Sequence, residues 1–104
     1  MRVFAREVSA RFSENLVRFR KLAGISQEEL GLRADLHRTE IGVLERGARM
    51  PQLDTILKLA GGLSISPCEL IEGMTWEPGS VSPGGFDLAS RPERVAGGSG
   101  EDSA

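Results

Sequence analysis

Apolar residues recur through the first 73 positions at intervals of three and four, with polar residues between them. That is the period of a helix that buries one face. Phe4, Val8, Phe12, Leu16, Phe19 and Ala23 form one such stripe, which predicts a long first helix. Ser9 and Ser13 are candidate caps, so the helix starts at one of them or nearer Phe4. Gly24 stops it, as a glycine just past a helix end does. Ser26-Gln27-Glu28-Glu29 is a capping-box string that opens a short second helix, with Leu30 inward and an end near Ala34. Asp35-Leu36 reads as a turn. A third helix over 37–45 carries Ile41 and Leu44 on one face and ends at Gly47. Pro51 makes 48–52 a loop. Leu53, Ile56, Leu57, Leu59, Ala60 and Leu63 give a fourth helix over about 53–62. Gly61 and Gly62 late in it each cost about 1 kcal/mol relative to alanine. They either end the helix early or admit another backbone closely. Ser66-Pro67-Cys68-Glu69 starts a fifth helix through Glu72, closed by Gly73. Residues 1–73 show no alternating strand pattern and no internal repeat, so the expected fold is all-α, with five helices and a flexible C-terminal arm.

Composition shifts at Gly73: of the last 31 residues, 14 are Gly, Pro or Ser. Residues 89–104 are expected to be a disordered tail, because such a stretch buries too little to offset its ordering entropy. Residues 74–88 form an arm in which Trp76, Val81, Phe86 and Leu88 need cover. The net charge of −2 is unevenly spread: residues 1–73 carry 11 basic and 10 acidic side chains, and the acidity belongs to residues 74–104. Nine of those 11 basic residues are Arg, the better donor for bidentate phosphate and base recognition.

The 104 residues suffice for one small domain. No apolar run approaches the roughly 18 residues of a membrane span, and the N-terminus is too charged for a secretory signal. A single cysteine, Cys68, rules out an internal disulfide and a cysteine-based zinc site, and reads as a packed small residue. A single histidine, His37, leaves little for a metal site or a His-dependent triad. No catalytic residue, metal site or cofactor is assigned. The chain reads as a cytoplasmic binding module rather than an enzyme.

Two short helices joined by a tight turn are a helix-turn-helix candidate. The surrounding string, FRKLAGISQEELGLRADLHRTEIGVLERGARMPQLDTILKLAGGLSISPCELI from Phe19 to Ile71, resembles the helix-turn-helix family of phage lambda repressor and Cro. Asp35 stands where that family commonly has glycine in the turn, Ser64 where it has glycine after helix four, and Gly61-Gly62 where Ala or Lys is usual.

The resemblance implies a lambda-repressor-like DNA-binding domain over 1–73 whose third helix enters the major groove N-terminus first. His37, Arg38, Thr39, Glu40, Gly42 and Val43 then face outward, with Ile41 and Leu44 turned to the core. Arg38 suits guanine O6 and N7, Thr39 and Val43 suit the thymine methyl, Glu40 accepts from cytosine or repels phosphate, and Gly42 permits close approach. Ser26, Gln27, His37, Arg46 and Arg49 are the phosphate candidates, with Gln27 at a helix N-terminus that favours an anion. Arg20 and Glu45 match family positions that form a structural salt bridge. Dimerisation at or after helix five would fall to Leu70, Ile71, Met74, Trp76 and Phe86.

The implied function is a bacterial or phage-type regulator, a repressor in its first reading, that binds double-stranded DNA at a palindrome as a homodimer. One motif makes few phosphate contacts and this domain is barely basic, so a lone copy should bind weakly. An antitoxin or a restriction–modification controller, autoregulating its operon and holding a protein partner through the tail, is the alternative. A protein-interaction module without DNA binding is a further rival. Gln27, Arg38 and Glu45 argue against it.

Overall fold

A computed structural model describes residues 2–90. Phe4 is the N-cap of helix α1, Ala5–Ala23, and its backbone N–H donates to the Glu7 carboxylate at 2.8 Å. That settles the undecided start. Ser9 and Ser13 lie inside the helix, buried, with their hydroxyls donating back to the carbonyls of Arg6 and Ala10. Phe4 is therefore outside the core: it is exposed, with the Arg6 guanidinium 5.2 Å from its ring centre. Ala23 is exposed too. Gly24 ends α1 with φ 72°, the left-handed conformation open to a residue without Cβ.

Helix α2 spans Gln27–Ala34 and α3 spans Arg38–Glu45. Between them Asp35 takes the left-handed conformation at φ 59° and ψ 43°, supplying with a short polar side chain what glycine supplies elsewhere. Gly31 sets how closely the two helices meet, since a Cβ there would lie 2.5 Å from the Leu36 carbonyl oxygen. Helix α4, Leu53–Leu63, runs through both glycines. Gly62 is buried where α4 crosses α2: an added Cβ would stand 3.1 Å from Leu30 and 3.4 Å from the Ala34 nitrogen. Gly61 faces open space. Helix α5 is one turn, Pro67–Leu70, two residues shorter than expected. Ser66 caps it, its hydroxyl oxygen accepting from the N–H of Cys68, which is exposed rather than packed.

The five helices enclose one core of Phe12, Leu16, Leu30, Ala34, Ile41, Leu44, Leu59, Ala60, Leu63 and Leu70. Every helix contributes, so each amphipathic face is satisfied only by the others. Asn15, buried on α1, donates to the Leu70 carbonyl at 3.0 Å and ties α5 down.

The five helices form as expected, but strands flank them on both sides. Residues Arg2–Val3 (β1), Met74–Glu77 (β2) and Gly85–Leu88 (β3) form an antiparallel sheet in the order β1-β3-β2. The arm is thus a hairpin rather than a flexible segment, and the N-terminal strand adds to it. Trp76 sits opposite Phe86, their rings edge to face with centroids 5.1 Å apart. Gly84 makes room for this: a Cβ there would lie 2.7 Å from the indole and 2.5 Å from the Glu77 carbonyl. The sheet joins residues on both sides of Gly73, and its middle strand packs on α1. Ala89, placed in the tail by composition, is held by two hydrogen bonds: its N–H to the Gly73 carbonyl and its carbonyl to Arg11. The rest of the expected tail, from residue 91, lies outside the described residues.

Candidate nucleic-acid interface

At the joint of α1, α2 and α3 lies a single carboxylate, Glu45. Arg20 of α1 reaches it with two guanidinium nitrogens, one of them at 3.0 Å, and also donates to the Ile25 carbonyl. Gln27 of α2 donates its side-chain amide to the same carboxylate at 2.9 Å. Burial pushes the Glu45 carboxyl up, but the hydrogen bonds from Arg20 and Gln27, with the charges of Arg20 and Lys21, outweigh it and hold the group below the usual carboxylate range. The same hydrogen bond raises Arg20 against the cost of its own burial. The result is a rigid link among three helices that fixes how α3 is presented.

At the start of α3, His37 is the N-cap, its Nδ1 accepting from the Thr39 N–H at 3.0 Å. Ser26 has the same role on α2, accepting from Glu29. Both side chains therefore serve their own helices in this structure. Arg38 and Thr39 stand exposed on the first turn of α3. Arg38 lies 4.0 Å from Glu28 of α2, and Glu40 lies 3.2 Å from Arg49 of the following loop. Val43 is half-buried and Arg46, at the C-cap, is exposed. Gly42 departs from expectation: it is buried, and the space above it holds the Arg46 guanidinium and the Gln27 amide, 3.3 and 3.8 Å from where a Cβ would sit. It underlies two side chains.

The candidate dimer residues divide. Leu70 is enclosed in the core and offers no side-chain surface to a second copy. Met74 is half-buried and packed on the core, and Phe86 is half-buried beside Trp76. Ile71 and Trp76 are exposed.

Two features were missed in the sequence. Glu28 sits in the first turn of α2, across from the first turn of α3, and only the turn geometry brings it to Arg38. Leu53 and Leu57 form an exposed ridge on α4, 73% and 52% accessible, with Met50 nearby in sequence and also exposed. The signal was present, because Leu57 stands roughly a quarter-turn off the stripe of Ile56, Leu59, Ala60 and Leu63. Among the described residues, no group of His, Cys, Asp or Glu is placed to hold a metal ion, and no helix is long and apolar enough to cross a membrane.

A helix-turn-helix family profile matches residues 16–70, from the middle of α1 to the end of α5. The chain belongs to the helix-turn-helix family. Among curated relatives of this helix-turn-helix protein, the control protein C.BamHI of Bacillus amyloliquefaciens is 42% identical over 53 residues, which are 51% of this chain and 65% of that protein. The control protein C.SmaI of Serratia marcescens is 38% identical over 69 residues, 64% of this chain and 82% of that one. Among solved structures, the restriction-modification controller protein C.AhdI from Aeromonas hydrophila superposes with a TM-score of 0.61 at 40% identity, covering 62% of this chain and 94% of that one. The profile match ends at residue 70, before β2 and β3 begin.

Proposed function

We propose that the chain is a sequence-specific transcriptional regulator that reads double-stranded DNA with α3 and acts as a homodimer on a palindromic operator. The observation that carries this reading is the braced presentation of α3. Arg20, Glu45 and Gln27 lock it to α1 and α2, while Arg38 and Thr39 project from its first turn. A helix held that way fits the major groove, and Arg38 can donate both forks to guanine. Arg46 and the N-terminus of α2 are the phosphate contacts that set register. Two copies would place their reading helices about 34 Å apart, in successive grooves. The exposed Ile71 and Trp76 are the dimer surface of first choice, with the Leu53–Leu57 ridge as the other.

Occupancy of a promoter would then repress. The similarity to two control proteins and to C.AhdI favours, within this reading, the controller of a restriction–modification operon. The antitoxin alternative needs free chain to hold a partner, and the pairing of β2 and β3 with the N-terminal strand weighs against it. Selection from random duplex DNA with the purified protein tests the proposal. A two-fold symmetric consensus is expected, and no enrichment would overturn it. A neighbouring endonuclease and methyltransferase gene pair would support the controller role.

A further inference from the structure

The reading face of α3 carries a carboxylate, which is out of place on a surface meant for phosphate. Glu40 follows Arg38 and Thr39 on the first turn of α3, its N–H donating to the His37 carbonyl. Its side chain is partly covered, because Arg49 reaches back from the loop after α3 and donates Nη2 to Glu40 Oε1 at 3.2 Å. The side chains are 29% and 52% accessible. Neither is structural in the sense of Arg20 and Glu45, and such an exposed pair adds little to stability. A carboxylate only accepts hydrogen bonds. Beside DNA it is repelled by phosphates and by the acceptor edges of guanine and thymine. It is satisfied by an exocyclic amino group, cytosine N4 or adenine N6, in the major groove. Arg49 is a phosphate candidate by family resemblance, yet its guanidinium is directed at Glu40.

We propose that Glu40 is a specificity-determining residue and Arg49 its positioning residue, holding the carboxylate at the reading face so that DNA lacking an amino group there is rejected. This rests on the DNA-reading proposal above. Arg49 acts through Glu40, so its effect on discrimination vanishes once the carboxylate is gone.

Four proteins decide it: wild type, Glu40→Gln, Arg49→Ala and the double variant. Each is titrated by fluorescence anisotropy against the selected operator and a scrambled duplex over a range of KCl. Arg49 is exposed and Glu40 only partly covered, and matching thermal melts confirm that all four fold. Glu40→Gln is expected to strengthen binding to the scrambled duplex several-fold and to lower the operator-to-scrambled ratio by about tenfold, the scale of one base-reading group. Arg49→Ala is expected to lower the ratio too, leave the salt slope unchanged, and have no further effect on the ratio when Glu40 is already Gln. If Arg49→Ala instead weakens both duplexes equally in both backgrounds, with the salt slope shallower by about one, it is a phosphate contact and the proposal fails. An unchanged ratio in Glu40→Gln also overturns it. Wild type that fails to distinguish the two duplexes would overturn the DNA-reading proposal itself, a result visible before any variant is compared.

Discussion

At Glu45 three helices depend on one proton. Its carboxyl is held below the ordinary carboxylate value of about 4.3, so the link contributes fully above that value and is lost as pH falls through the lower folded value. The denaturation midpoint of the wild type should therefore drop on acidification from pH 5 towards pH 3, and that of Glu45→Gln should drop less. A urea titration series checks this. Arg20 and Glu45 should couple by more than about 0.5 kcal/mol in a double-mutant cycle, and additive effects would show the pair to be idle. On DNA, Arg38→Ala should cost about 1–3 kcal/mol at the operator and relax preference at one base pair per half-site, as read by a panel of substituted operators. Uniform weakening on every sequence would make Arg38 a phosphate contact. The sequence made the Arg20–Glu45 pair and the outward position of Arg38 legible through the family resemblance. It could not disclose Glu28 beside Arg38 or Arg49 beside Glu40, because those pairs depend on side-chain directions across a turn and a loop. Nor could it show that Gly42 is roofed by Gln27 and Arg46.

At the scale of elements, the helices announced themselves. Ser26 and Ser66 cap, Gly24 closes, Pro51 interrupts, and the apolar period names the buried faces except at Phe4, Ala23, Leu53 and Leu57, which are exposed. The turn between α2 and α3 is a tight joint. Gly31→Ala would push a Cβ against the Leu36 carbonyl, which belongs to the backbone and cannot swing aside. Equilibrium unfolding should show a loss of about 1–3 kcal/mol, in the range of overpacking mutants. A variant within 0.5 kcal/mol of wild type, the usual band for surface changes, would show that the joint yields. The sheet was illegible for a plain reason. Its strands are two to four residues long, too short for alternation to register, and β2 and β3 sit among the Gly, Pro and Ser that signal loops. What specifies it is tertiary: Trp76 against Phe86, and the Gly84 backbone beneath the indole.

For the whole molecule, the decisive comparison is between two shortened chains. One ending at Ser90 keeps all three strands and the Ala89 hydrogen bonds to Arg11 and Gly73, and should fold and bind the operator as the full chain does. One ending at Gly73 loses β2 and β3, with Trp76, and should sediment closer to a monomer and bind more weakly. If it stays a full-strength dimer, the Leu53–Leu57 ridge becomes the dimer surface. The pairing of β1 with β3 has a further, kinetic consequence. Residue 2 meets residue 87, whereas the α2–α3 hairpin closes over a few residues. Loop closure across most of the chain is slow relative to helix docking. As the chain is synthesised, the first strand must wait without a partner until the last one has been made. The sheet should thus form after the helical bundle and open before it, so native-state hydrogen exchange should release the amides of β1 and β3 at a lower free energy than those of Leu16 or Leu59.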